Sequence, residues 1–129
     1  MGIAAEEQKL VESADQYMPI KALNQFSQDW RFKARVVQKP AMREYKNDRG
    51  GGKIMNLDLI DREGTMIQGT MFNETAIAWY DKVLVNKVYV FSGGQIKMAN
   101  KRFTSIKNDF CLTFDRDCEI TECAEDQAI

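Results

Sequence analysis

A chain of 129 residues with 44% hydrophobic and 29% charged residues has the length and balance of one globular domain with a single core. With no histidine it lacks His-based triads and the commonest general base, and its three cysteines, Cys111, Cys118 and Cys123, fall short of the four ligands of a structural zinc site. The net charge of −1 gives no bulk basic excess of the kind that marks nucleic-acid binders, and no run nears the roughly 18 apolar residues of a membrane helix.

The acidic N-terminus, unlike a signal peptide, and the odd thiol count suit a soluble, intracellular domain. Acids crowd residues 1–15 and 115–126, which leaves the centre net basic. Residues 3–17 place Ile3, Leu10, Ala14 and Tyr17 on one stripe at helical spacing, predicting a short amphipathic helix that Met18-Pro19 ends. From Trp30 the period becomes two. Trp30, Phe32, Ala34 and Val36 alternate with Arg31, Lys33 and Arg35 in a half-buried strand that Pro40 stops.

The next segment, REYKNDRGGGK (43–53), gathers cations, one tyrosine and three glycines. It is predicted to be a flexible loop. A second strand, 53–61, alternates Met55, Leu57 and Leu59 with Ile54, Asn56 and Asp58, and Asp61–Gly64 form a turn. A third, 65–73, sets Ile67, Gly69 and Met71 against Met66, Gln68, Thr70 and Phe72. Residues 74–84 have helical spacing through Ile77, Tyr80 and Leu84. Residues 87–92 and 95–98 read as a hairpin about Gly93-Gly94, and 109–114 with 118–121 supply the last strand. Three strands, a helix, a hairpin and a closing strand are the order of an all-β, five-stranded Greek-key barrel of the OB type, with the helix between strands three and four.

A nucleotide-binding loop at 43–53 fails, because Lys53 is followed by Ile54 and a strand, with no helix N-terminus to hold phosphate. A finger that closes over single-stranded nucleic acid and a solvated polar loop both remain open on these residues alone. Phe72 lies on the same strand face as Gln68 and Thr70, and Phe103 is flanked by Lys101 and Arg102. Aromatics set among cations suit base stacking better than burial. A metal nuclease built on Asp48, Asp58 and Asp61 is disfavoured, since Asp58 and Asp61 point to opposite faces of the strand.

The blocks MPIKALNQF, ARVVQK, REYKNDRGGGKIMNLDLIDREG, MFNE, VNKVYVFSGGQIKMANKRFTSIKNDF and LTF, in order, resemble DNA-binding domain A of the replication protein A large subunit over residues 18–123. The resemblance implies a non-catalytic module without cofactor that binds single-stranded DNA with little sequence preference. It implies a place in a nuclear heterotrimer serving replication, repair, recombination and telomere upkeep. By position, Phe72 and Phe103 are the implied stacking aromatics, and Arg43, Arg49, Lys53 and Lys97 the polar and electrostatic contacts. The resemblance also implies that Tyr45, with its stacking face, Asn73 and Asn100 line the groove. The sequence departs from the familiar pattern with Tyr45 in place of tryptophan, Gln68 in place of arginine and Cys111 in place of an acid. Residues 1–17 would be a helical extension and 124–129 the start of a linker, and the excised domain would be monomeric, with no membrane partner. The alternative is an OB domain whose groove binds protein.

Overall fold

A computed structural model describes residues 17–101 and 104–129, so the helix predicted over 3–17, Tyr17 apart, and the candidate stacking residue Phe103 lie outside the described residues. A 3₁₀ turn (Ile20–Ala22) is followed by β1 (Arg31–Gln38), β2 (Arg43–Asn47), β3 (Gly50–Ile60), β4 (Met66–Phe72), α1 (Asn73–Trp79), β5 (Val88–Met98) and β6 (Phe110–Glu122). The sheet order β1-β5-β6-β4-β3-β2, with a further β1–β3 pairing, closes five strands into a barrel and leaves β2 as a ribbon extending β3. The contact that completes the ring between β4 and β6 is parallel, through Gly69 and Leu112 and through Thr70 and Thr113; the other pairings are antiparallel.

The predicted inward faces hold. Phe32, Ala34 and Val36 of β1, Met55, Leu57 and Leu59 of β3, and Ile67 and Met71 of β4 are fully buried, as alternation in a closed sheet requires. Trp30, Phe32, Phe91 and Phe114 form a chain of rings at 5.5–5.7 Å through Phe32 and Phe91, with Trp30 also 6.3 Å from Phe114. Each such side chain contributes on the order of 2 kcal/mol by leaving water. The loop end of β3 is fastened by Asp61, whose side chain accepts N–H bonds from Ile20 (2.8 Å), Glu63 (3.1 Å) and Thr65 (3.2 Å). The predicted turn former thus also holds the N-terminal 3₁₀ turn against the barrel.

Three expectations change. The glycine-rich segment is not a loop: Arg43–Asn47 pair residue by residue with Gly50–Ile54, around a tight turn at Asp48 and Arg49. Residues 87–98 are not a hairpin, because β5 runs through Gly93-Gly94 and β6 pairs with it on both sides of that point. The glycines make a bulge there, with φ of +88° and +149°. A Cβ on Gly94 would strike the backbone, coming within 2.9 Å of Phe114 Cα as well as colliding with Thr113 O. Gly94→Ala is therefore expected to cost about 3 kcal/mol, from strain at positive φ plus a shift of β6. A urea midpoint unchanged from wild type would show that the bulge relaxes freely.

The third change concerns the helix, which stops at Trp79, so the predicted stripe has no continuous face. Ala76 and Val83 are buried instead, while Ile77 (56%) and Leu84 (45%) are exposed. The C-terminal residues Glu125, Asp126 and Ile129 contact β1. Arg35 grips the Glu125 carboxylate through Nη1 (2.8 Å) and Nη2 (2.5 Å) and donates to Asp126 O, and Lys33 pairs with Asp126 at 3.3 Å. The hydrogen bond from Arg35 holds the Glu125 carboxyl below the usual range.

Candidate nucleic-acid interface

Residues directly opposite in paired strands share a face, so the register reads out the barrel's outer wall in rows. Arg43, Ile54 and Phe72 form one row, and Tyr45 lies beside Gly52 in the next, towards the ribbon tip. Asn56, Thr70, Thr113 and Gln95 form a polar row across four strands, with a Thr70 Oγ1–Asn56 Oδ1 hydrogen bond of 2.9 Å. Beyond it come Asp58 and Gln68, then Cys111 paired with Lys97. Burial pushes the Cys111 thiol up, partly offset by the Lys97 charge.

This floor has two walls. One is the β2–β3 ribbon, and the other is made by the described residues between β5 and β6, where Asn108 donates from Nδ2 to Met66 O of β4 (2.9 Å). Phe72 projects from the floor 40% exposed. Tyr45 lies across Gly52: a Cβ there would sit 2.5 Å from the tyrosine hydroxyl and 2.6 Å from Cζ, and would collide with Asn73 Oδ1. Only glycine leaves room for that ring, a constraint the sequence signals only through its glycine run.

Asn73 opens α1 at φ +52°, a conformation asparagine tolerates better than most. Its Oδ1 accepts the Lys53 N–H at 3.1 Å, tying the ribbon's root to the helix start. Asn73 therefore positions the ribbon as well as bordering the groove.

The structure brings Arg43, Tyr45, Gln68, Phe72 and Lys97 onto one surface. Lys53, paired with Glu44, lies on the opposite face of the ribbon from Tyr45, and Arg49 caps the exposed turn. Asn100 follows β5 at the start of the second wall. Among the described residues Arg43, Arg49, Lys53 and Lys97 make no ion pair, whereas Lys33 and Arg35 are taken up by the folded-back tail. Asp61 spends its carboxylate on backbone donors, and no three Cys, Asp or Glu gather at a metal-binding distance among the described residues.

Residues 30–111 match a family described as OB-fold nucleic acid binding domain. The chain is 41% identical over 109 residues to a replication protein A 70 kDa DNA-binding subunit of Arabidopsis thaliana, covering 84% of this chain and 17% of that one. It is 40% identical over 111 residues to the 70 kDa DNA-binding subunit of Xenopus tropicalis, covering 86% and 18%. It thus spans under a fifth of the length of these relatives. Among solved structures it resembles DNA-binding domain A of Saccharomyces cerevisiae replication protein A, with TM-score 0.70, 31% identity and coverage of 86% of this chain and 96% of that one. A chain of a replication protein A heterotrimer bound to single-stranded DNA superimposes with TM-score 0.79 at 33% identity, over 84% of this chain and 25% of that one. The walled outer face of the barrel and these likenesses agree: the chain belongs to the OB-fold nucleic-acid-binding family, among the DNA-binding domains of replication protein A large subunits.

Proposed function

We propose that this chain is a non-catalytic module that binds single-stranded DNA along the outer face of β3, β4 and β6, between the β2–β3 ribbon and the described residues that link β5 to β6. The observation that carries the reading is the shared surface itself. Exposed Phe72 and half-buried Tyr45 sit there with cations, Arg43 and Lys97, that no acid neutralises among the described residues. Cations draw the strand in, stacking holds the bases, and the polar floor meets base edges. Phe103 supplies the second stacking platform that the resemblance implies. Arg49 and Lys53 meet phosphates from the tip and the back of the ribbon, and Asn100 borders the strand's path. The module acts within a nuclear heterotrimer in replication, repair, recombination and telomere maintenance. A single groove covers few nucleotides, so tandem domains supply high affinity.

Fluorescence anisotropy of a labelled oligo-dT across a salt series tests this. Binding that weakens steeply with salt supports it, and no binding at low salt and micromolar protein would sink it. Position 68 gives a finer test. Gln68 faces the groove without charge, so Gln68→Arg is expected to steepen the slope of log K against log salt by about 0.7, one further phosphate neutralised on a single strand. An unchanged slope would show that position 68 does not reach the backbone.

A further inference from the structure

At the end of the floor farthest from Phe72, Ser105, Ile106 and Lys107 border an open cleft of about 630 Å³ together with Gln38, Asp58 and Met66. Asp58 lines it from β3. It stands directly opposite Gln38 on β1 and opposite Gln68 on β4, so a carboxylate is flanked across both neighbouring strands by carboxamides. No described cation lies within ion-pair distance of it, and burial holds its carboxyl above the usual range.

A half-buried carboxylate without a cation is the wrong group for a phosphate contact in a groove that draws in a polyanion. It is an acceptor that needs N–H donors. The edges of unstacked bases supply such donors.

We propose that this cleft is a base-edge pocket, with Asp58 as its acceptor, that selects an amino-bearing nucleobase, guanine above the others. The proposal rests on the single-strand reading above and adds a sequence bias to it. Guanine presents N1–H and an exocyclic N2–H side by side, two parallel donors for two carboxylate oxygens, the geometry that makes bidentate pairs strong. Cytosine and adenine each offer one amino group beside a ring acceptor. Thymine offers a single N–H between two carbonyls, both of which face the carboxylate unfavourably. Met66 and Ile106 provide apolar surface for the ring, and the flanking carboxamides of Gln38 and Gln68 can donate to the guanine O6.

The test measures wild-type chain against a short labelled oligo-dT and the same strand carrying one deoxyguanosine, or one deoxyinosine, at each position in turn. The expected result is about tenfold tighter binding with guanine at one position, the discrimination of a single bidentate base contact. Inosine, which lacks the 2-amino group, should recover little of that gain. Asp58→Asn and Asp58→Ala, checked for an unchanged melting transition, should abolish the gain and bind oligo-dT at least as tightly as wild type, since a repulsive charge is gone. Equal wild-type affinity for all three strands, or a guanine gain that survives both substitutions, overturns the pocket and leaves the groove standing. Failure of wild type to bind any strand overturns the groove and the pocket together.

Discussion

Phe72→Ala combined with Tyr45→Ala is expected to weaken oligo-dT binding by about a hundredfold or more while leaving the fold intact. The expectation combines two stacking losses of ~1–3 kcal/mol each, a range established on OB folds that include those of replication protein A. Neither side chain belongs to the barrel's core: Phe72 is 40% exposed and Tyr45 lies on the ribbon outside the ring of strands. Truncation should therefore cost the fold little, and an unaltered thermal transition separates lost contacts from lost structure. Phe103→Ala should add about a further tenfold, the loss of one more stacked base. Ile77→Ala, on the exposed side of α1 and off the groove, is the control and should bind as wild type does. A double variant that binds within threefold of wild type would mean that the bases do not stack on these rings, and the protein-binding alternative for the groove would take precedence.

The second large effect is on stability. Asp61→Ala is expected to lower the unfolding free energy by about 4 kcal/mol, because three backbone donors lose a charged acceptor and hydrogen bonds to charged groups are worth ~1.5–3 kcal/mol each. Two of the three donors are in the 61–65 turn, where water can partly replace the carboxylate. The third, the Ile20 N–H, is buried with its residue, and no water reaches it cheaply. Asp61→Asn keeps one acceptor oxygen and should lose roughly half as much. Equilibrium urea unfolding gives both values, and a loss below about 1 kcal/mol for the alanine variant would show that the 3₁₀ turn docks by its apolar side chains alone. Single-strand binding should be unaffected while the domain stays folded, since Asp61 is far along β3 from Phe72 in the strand register.

Much of this molecule is legible from local pattern. The period-two runs of β1, β3 and β4 assign every inward residue correctly, because in a closed barrel one face of each strand has nowhere to go but the core. By exclusion the same runs place Phe72 and Gln68 outward, which made both legible as groove residues.

What the pattern could not decide depends on partners distant along the chain. Whether 43–53 is a loop or a ribbon turns on Arg43–Asn47 finding backbone partners in Gly50–Ile54, with Gly52 leaving room for the Tyr45 ring. Whether Gly93-Gly94 turns the chain or only kinks it turns on β6, which is long enough to pair on both sides of the glycines. The helical stripe fails because α1 ends at Trp79, and spacing carries no meaning beyond the last helical residue. Lys33 and Arg35 are outward cations of β1 by pattern alone, and only the fold shows that acids about ninety positions later along the chain neutralise them. Asp58 reads in the sequence only as a disfavoured metal carboxylate, and the glutamines that β1 and β4 set on either side of it come from strand pairing. Backbone pairing and charge compensation act through space, so the sequence by itself determined which residues face out, and only the tertiary structure decided which of them meet.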